Sequence, residues 1–265
     1  MGRLMRLVNM RLRRLAQFML KNLRRQIELH LLLQALALPL LAQPQRVLSE
    51  NNITIKFEAS RPESEAVMVI QIAQAAREEL TRRYNLSPVA IEFTLFSTTY
   101  DFCQHTRSPW WLSSVYQNGV IYLQPARVLH ERGTLTDVIR HEVAHRLLDL
   151  ATAGNCPRWL SEALAIYHSG EIVHLKPQHR RDPILTFAEF DEALHQVRSQ
   201  GELEAIYFQL YRVGRFFEDS YGSEKISALL QQLREKKTWE AACLPALGIS
   251  ATQAQRQWQD SLAPK

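Results

Sequence analysis

The chain has 265 residues, of which 46% are hydrophobic and 22% are charged. This length and composition fit a globular protein of one large or two small domains and exclude an intrinsically disordered chain. The formal net charge is +5, but residues 1–46 contain nine Lys or Arg side chains and a single acid, Glu28. The remaining residues have 23 basic and 26 acidic side chains, a net charge of −3. The predicted folded part therefore lacks the basic excess that favours nucleic-acid binding.

The first 42 residues have the pattern of a targeting segment. Eight Lys and Arg side chains precede a short apolar run at 29–42 that ends at Ala42. This order resembles a secretory signal peptide. The run is also too short, and too interrupted by Gln34 and Pro39, for a membrane span. We therefore predict a signal-like or membrane-associated leader at 1–42 and an exported protein, which is periplasmic, secreted or membrane-associated. An amphipathic basic helix on a membrane surface and a disordered segment are the alternatives.

Cysteine usage excludes two other structural classes. Cys103, Cys156 and Cys243 are too few and too scattered for a disulfide framework, although an exported protein can form one pair. The sequence has no CxxC pair, which excludes a structural zinc site of the cysteine type.

The predicted elements begin with strands and a helix and become helical later. Alternating side chains predict strands at 53–59 and 89–97, and Pro62 begins a helix that extends to about Tyr84. Asn118-Gly119 between two apolar runs predicts a two-residue hairpin. Thr134 can cap the helix that follows it. Further helices are expected near 158–168, 187–199, 203–221, 223–236 and 250–262.

The first helix after Thr134 contains the sequence HEVAH at 141–145. On a helix that turns about 100° per residue, His145 lies about 40° and Glu142 about 100° from His141. Both imidazoles therefore share a face and can bind one metal ion, whereas Glu142 points aside. A zinc ion lowers the pKa of its bound water to about 7. Glu142 can then take a proton from that water as the general base of a hydrolysis.

A catalytic zinc needs a third protein ligand and one open position. A third His six residues after the motif is excluded, because that position is Ala151 and Leu148 replaces the required Gly. A downstream Glu on a second helix remains possible as the third ligand, and Glu162 is that residue, with sixteen residues between it and His145. It lies within WLSEALAIY at 159–167, whose apolar face can pack against the HEVAH helix. The sequence thus favours a site for one Zn²⁺ per chain.

Together, HEVAH and PRWLSEALAIY resemble the gluzincin zinc peptidases, the group that includes thermolysin and aminopeptidase N, and most closely the peptidase-MA-like domains of bacteria. The similarity extends over most of 51–265. It implies an α+β, thermolysin-like fold in which a small mixed sheet with helices, the HExxH helix among them, precedes an all-helical lobe, with zinc between the lobes. A single catalytic domain is then expected at 47–265, with an α/β lobe at 47–151 and a helical lobe at 152–265. It also favours a bacterial origin.

The same resemblance implies the roles of the site residues. Zinc would bind His141, His145 and Glu162, and Glu142 would be the general base. A tyrosine on a later helix would stabilise the oxyanion, for which Tyr207 is the candidate and Tyr211, one turn further on, the alternative.

Two further features bear on this resemblance. Ala163 replaces the usual Gly, and no acidic residue lies one turn after Glu162 to orient an imidazole. The resemblance also suggests that the strand VIYLQ at 120–124 lies at a sheet edge and pairs with substrate backbone. An ordinary inner hairpin strand is the alternative, and the sequence does not decide between the two.

Three functions follow from these patterns. The first is a zinc metallopeptidase that acts on a peptide or protein substrate and binds no nucleic acid. The second is a catalytically inactive, zinc-binding relative that serves as a structural or assembly factor. The third is a protein that binds nucleic acid or a membrane surface through its basic N-terminal segment, and it fails if residues 1–42 are cleaved. The oligomeric state, the cleavage specificity and the choice between endopeptidase and exopeptidase stay open.

Overall fold

The computed structural model describes residues 44–175, 183–235 and 238–262. Five strands form one mixed sheet: β1 (Gln45–Glu50), β2 (Ile53–Glu58), β3 (Ile91–Leu95), β4 (Ser114–Gln117) and β5 (Val120–Leu123). Their order in the sheet is β1-β2-β3-β5-β4. The three inner strands are parallel, whereas β1 and β4 are antiparallel to their neighbours.

The larger share of the described chain is helical, so the protein is α+β with a small mixed sheet. The helices are α1 (Glu63–Tyr84), α2 (Thr99–Thr106), α3 (Ala126–Glu131), α4 (Leu135–Ala151), α5 (Arg158–Ser169), α6 (Phe187–Gln196), α7 (Gln200–Glu235), α8 (Trp239–Leu247) and α9 (Ala251–Ser261). A 3₁₀ turn at Glu171–His174 follows α5. Across the described ranges, we found no helix of the length and apolarity that a membrane crossing requires. The predicted leader at 1–42 and the basic run at 179–181 lie outside the described residues.

The alternating sequences form the strands that they predict. The strands predicted at 53–59 and 89–97 are confirmed as β2 and β3, each slightly shorter than expected. Both bury every second side chain, and α1 packs against β2. The helix predicted after Pro62 is confirmed as α1, and it buries a stripe at helical spacing: Val69, Ala73, Ala76, Leu80 and Tyr84. These elements form part of one core that continues into the helical part of the chain.

The hairpin at Asn118-Gly119 is confirmed, and of the two positions left open for VIYLQ the structure shows the inner one. Asn118 and Gly119 have φ values of 51° and 83°, and two positive φ values in succession are what a two-residue hairpin of this hand requires. Strand β5 is bonded to β3 on one side and to β4 on the other, so VIYLQ is an inner strand. The edge strand is β4, which lies against α4. Sequence alone could not show which hairpin strand joins the sheet, because the β3–β5 pairing joins distant parts of the chain.

Helix α5 packs between α4 and α7 and brings them to the same site. The close approach of α7 to α5 depends on Gly214, where a methyl group would lie 2.8 Å from Cβ of Tyr167 and nearer still to the carbonyl oxygen of Ala163. Since packed interiors leave no room for such an overlap, a larger residue would separate the two helices. The break predicted between 203–221 and 223–236 is confirmed at Gly222, where φ 72° and ψ 169° interrupt α7.

Several elements were not predicted from the sequence. They are short or lack clear periodicity: β1, α2, α3, α8 and the 3₁₀ turn. The predicted cap of α4 is also wrong, since the Thr134 hydroxyl donates to the Leu129 carbonyl oxygen at 3.3 Å and accepts no helix amide. Cys103, Cys156 and Cys243 are all free thiols, so the disulfide that the sequence allowed is not formed.

A buried polar cluster joins α1, α5 and α7 behind the site. Tyr84 hydrogen-bonds His168 and donates to Glu218, and Arg83 donates to the same carboxylate. Burial would raise the pKa of Glu218, but hydrogen bonds from His168, Arg83 and Tyr84 lower it to about 2. His168 is therefore paired with Tyr84 and Glu218 in this cluster.

Candidate metal centre

The two histidines of HEVAH lie on the front of α4, which faces a cleft, whereas the back of the helix is buried in the core. Ile139, Val143 and Leu147 on the opposite face are fully or almost fully buried. His141 and His145 point the same way, with their Nε2 atoms 2.9 Å apart. The helical spacing and the apolar back together fix both imidazoles in this arrangement.

Glu162 approaches the histidines from α5. Its Oε2 atom lies 3.5 Å from Nε2 of His141 and 3.5 Å from Nε2 of His145. The apolar face of α5 is buried against α4 and α7, which places the carboxylate at the front of α4. The three predicted ligands therefore converge, and their ligand atoms all lie within 4.8 Å of one another.

The spacing and bonding of these atoms fit a zinc ion. A tetrahedral ion with ligands at about 2.0–2.1 Å separates its ligand atoms by about 3.3 Å, and the observed separations are 2.9, 3.5 and 3.5 Å. Oε2 of Glu162 is buried without a hydrogen-bond partner. Two imidazole nitrogens and a carboxylate oxygen are donors that zinc accepts. A cation at the centre would satisfy all three atoms.

Both ring Nδ1 atoms have partners that hold the Nε2 atoms toward the centre. Oε1 of Glu171 lies 2.6 Å from Nδ1 of His141, and Oγ of Ser161 lies 2.8 Å from Nδ1 of His145. Such outer partners fix the tautomer and orientation of metal-binding histidines. With both Nδ1 atoms protonated and donating, the two Nε2 lone pairs face each other, which favours a cation between them.

Sequence reasoning missed both outer partners. It considered acids one turn after Glu162, whereas Glu171 follows the end of α5 and is turned back by Gly170, whose φ is 92°. Position 170 favours glycine because few other residues adopt this conformation. The Gly-Glu pair directly after the helix was the available signal, and Ser161 adjoins Glu162 in the motif itself.

Glu142 has one bound and one free carboxylate oxygen. Ser114 on β4 donates its hydroxyl to Oε1 of Glu142 at 2.6 Å. Oε2 is buried and has no hydrogen-bond partner in the described structure. The angular separation expected from the helix is thus observed: Glu142 lies beside the His-His-Glu cluster, with one oxygen available to accept a proton.

Of the two candidate tyrosines, Tyr207 is the one at the centre. Its ring stacks on His141 at a centroid distance of 5.9 Å, whereas Tyr211 packs against Tyr167 at 6.0 Å. Burial, followed by the charges of Glu162, Glu171 and Glu142, raises the pKa of Tyr207 well above its usual value. The hydroxyl therefore stays protonated and can donate a hydrogen bond.

The electrostatics of the cluster favour positive charge at the ligand atoms. Burial alone would lower the pKa of His141, but Glu171 and Glu162 outweigh it and hold this pKa well above its usual value. Burial would raise the pKa of Glu162, but His145 and His141 hold it well below its usual value. The field that favours a proton on His141 also favours a metal cation in its place.

The centre opens into a cleft formed by two adjoining cavities. One has a volume of about 710 Å³ and the other of about 220 Å³. Both are lined by His141, Glu142, Tyr207, Trp111 and Ser114. The metal centre therefore lies in the middle of the cleft, with β4 along one wall. Trp111 lines the cleft, whereas Trp110 is largely exposed.

A family model described as the peptidase MA superfamily matches residues 113–264, more than half of the chain. The chain belongs to the peptidase MA superfamily. The comparison with curated proteins found no match. Membership supports the gluzincin-like resemblance of the sequence and assigns the chain to a group of metallopeptidases.

The matched region contains the whole centre of this peptidase MA domain. It begins just before β4 and includes β4, α4, α5, the 3₁₀ turn and α7, which together supply the three predicted ligands, Glu142 and the side chains that contact them. The strands β1, β2 and β3 and the helix α1 precede the match. They contribute the sheet against which the site helices are supported.

Proposed function

We propose that this peptidase MA protein is a zinc-dependent peptidase in which His141, His145 and Glu162 bind one Zn²⁺ and Glu142 is the general base. The observation that carries the proposal is the convergence of the ligand atoms of His141, His145 and Glu162 beside the unpaired Oε2 of Glu142. A zinc ion in such a centre supplies Lewis-acid polarisation of a carbonyl and lowers the pKa of water.

The residues around the centre then have distinct roles. Ser114 holds Oε1 of Glu142, so that Oε2 is the atom that accepts a proton and later delivers it to the leaving amine. Tyr207 remains protonated and donates to the oxyanion that develops on the substrate. Glu171 and Ser161 orient the two imidazoles.

The free edge of β4 offers a place for the substrate backbone. Ser113 and Gln124 share a backbone hydrogen bond between the hairpin strands. By the alternation of an antiparallel ladder, Ser114 and Tyr116 then turn their backbone N–H and C=O groups toward the free edge. Both residues line the cleft. An extended peptide added along β4 would gain main-chain hydrogen bonds and carry its carbonyl past the centre.

The decisive experiment compares two variants of the purified protein. Glu142→Gln should retain zinc and lower peptide turnover by about 100-fold or more, the minimum expected for loss of a general base. Glu162→Gln should lose zinc, because a neutral amide is a much weaker ligand. Zinc content and cleavage of a peptide library are measured for both variants and the parent protein.

The outcomes separate the two functions that retain this centre. Zinc-free parent protein, or unchanged turnover in Glu142→Gln, would overturn the proposal. Stoichiometric zinc without turnover on any peptide would instead favour the catalytically inactive, zinc-binding relative. The thermolysin-like arrangement, with a helical lobe at 152–265 beyond the zinc site, belongs to the same proposal. Export through the leader at 1–42 is a separate proposal that rests on its sequence pattern.

A further inference from the structure

The cleft has opposite charges at its two ends. We call the part lined by Tyr116, Arg158 and Arg198 the basic end and the part lined by Ser113, Asp137 and Glu204 the acidic end. Glu171 also lines the acidic end but is engaged with His141. The metal centre lies between the two ends, so a bound peptide would extend into both.

The two arginines of the basic end are available to a ligand. The Arg158 side chain is 45% exposed, and its carboxylate partner, Oε1 of the proposed metal ligand Glu162, lies 4.0 Å away. Its Nη1 also lies 3.3 Å from Nδ1 of His195, a contact that leaves the other guanidinium N–H groups free for a ligand. The guanidinium of Arg198 is exposed and has no hydrogen bond or ion pair within the described residues. Guanidinium groups bind carboxylates through paired N–H donors.

Asp149 is the one described acidic residue outside the metal centre that lines the basic end, and it already has hydrogen-bond and ion-pair partners. Asp149 accepts the hydroxyl of Tyr116 at 2.7 Å and lies 3.9 Å from the guanidinium of Arg146. Its charge is thus balanced within the wall of the cleft. Outside the metal centre, the unbalanced charges at this end are therefore the two arginines.

The acidic end lacks such cations among its described lining residues. Glu204 accepts only the neutral amide of Gln200 at 2.8 Å. Asp137 lies 2.9 Å from His174, which is the one described lining side chain of this end, apart from His141 of the metal centre, that can be positively charged. An acidic ligand group would be repelled here and attracted at the opposite end.

The direction of β4 relates these ends to the direction of a substrate. The chain enters β4 from Ser113, which lines the acidic end, and passes along the strand to Tyr116, which lines the basic end. Antiparallel pairing is the more stable arrangement per residue. A peptide added antiparallel to β4 therefore places residues before the scissile bond at the basic end and residues after it at the acidic end.

We propose that the cleft selects peptides with an acidic side chain on the N-terminal side of the scissile bond, and that Arg158 and Arg198 are the specificity-determining residues. The inference rests on the proposed peptidase function and adds a substrate class to it. Substrates without acids in the last residues before the bond, or with acids after it, are cleaved less efficiently.

The test maps cleavage sites in a randomised peptide library by mass spectrometry and then compares a matched peptide pair. The two peptides differ only in Glu or Lys at the positions before the mapped bond. We expect kcat/KM to favour the Glu peptide about five-fold, as for exposed ion pairs, and the preference to fall in high salt. Arg198→Glu should reduce this preference below about two-fold or reverse it.

A matched control variant lies on α7, the helix that begins two residues after Arg198. Arg215→Glu on α7 changes the same charge at a position outside the cleft, where Arg215 is exposed and pairs with Asp219. It should preserve the preference. Binding of the same two peptides to Glu142→Gln protein, measured by fluorescence anisotropy, gives a second readout that needs no turnover.

The outcomes are distinguishable from those of the peptidase test. Cleavage without charge preference, or a preference that Arg198→Glu leaves unchanged, would overturn this inference and leave the peptidase intact. A preference for acids after the bond would overturn the antiparallel direction on which it depends. If no peptide is cleaved, the peptidase proposal fails, and equal binding of both peptides to Glu142→Gln would overturn the charge selection as well.

Discussion

Glu171 offers the sharpest test of how the centre is built. Glu171 lies outside both HEVAH and PRWLSEALAIY, yet its carboxylate lies 2.6 Å from Nδ1 of His141. We predict that Glu171→Ala weakens zinc binding without unfolding the protein. The reason is that His141 loses the partner that fixes its tautomer and directs Nε2 to the metal.

The magnitude follows from the two outer contacts. Loss of such a partner lowers metal affinity by about 10–100-fold, which corresponds to about 1.4–2.7 kcal/mol. Hydrogen bonds to a charged group are about twice as strong as neutral ones. Glu171→Ala should therefore approach the upper value. Ser161→Ala, which removes the neutral partner at 2.8 Å from His145, should stay near or below ten-fold. Glu171→Gln keeps an oxygen acceptor and should lie between the two.

The assay is competition for zinc with a chromophoric chelator, together with thermal unfolding of each variant. Glu204→Gln is the matched control, because Glu204 lines the same end of the cleft as Glu171 but is hydrogen-bonded to Gln200 rather than to a histidine. Its zinc affinity should equal that of the parent protein. Parent-like zinc affinity in folded Glu171→Ala would refute the positioning role. A larger loss in Ser161→Ala than in Glu171→Ala would refute the argument from charge.

Three further predictions concern the cleft, the helix packing and the buried cluster. Tyr207→Phe should lower kcat by about 10²–10³-fold with zinc content unchanged, as for loss of one oxyanion donor. Steady-state kinetics and zinc analysis measure both quantities, and an unchanged kcat would show that Tyr207 only packs against His141. Gly214→Ala should destabilise the fold by about 1–3 kcal/mol through overpacking against Ala163, and an unchanged denaturation midpoint would contradict the close approach of α7 to α5. The pKa of Glu218 is lowered to about 2 from the ordinary value of 4.5. The ionised Glu218 carboxylate therefore stabilises the fold fully at pH values above that ordinary pKa, and this stabilisation is lost as the pH falls toward about 2. Glu218→Gln should accordingly be less stable than the parent protein at neutral pH, and the difference in melting temperature should shrink across this acidic range; a constant difference would contradict it.

The sequence predicted most local elements because their signals are local. Alternation over 53–59, the Asn118-Gly119 turn and the break at Gly222 each depend on backbone preferences of a few neighbouring residues. The exposed strand β1 has no buried alternation to reveal it. Thr134 illustrates a limit of the same reasoning, since its hydroxyl bonds a preceding carbonyl instead of the helix amides.

The residues of the candidate centre were likewise predicted only in part from the sequence. The spacing of His141 and His145 on one helix already places both imidazoles on one face, and the WLSEALAIY motif indicated Glu162. The outer partners could not be inferred from spacing. Glu171 reaches His141 only because Gly170 turns the chain back over α4. The choice between Tyr207 and Tyr211 likewise depended on how α7 packs against α5.

The sequence by itself determined that this chain carries an HExxH helix, a downstream glutamate and a folded body without basic excess, because these follow from residue identity and helical period. Only the tertiary structure decided that β4 rather than β5 forms the edge of the sheet, that Ser114 holds Glu142, and that the two ends of the cleft differ in charge. Each of these depends on contacts between segments far apart in the chain, whose register local preferences do not specify.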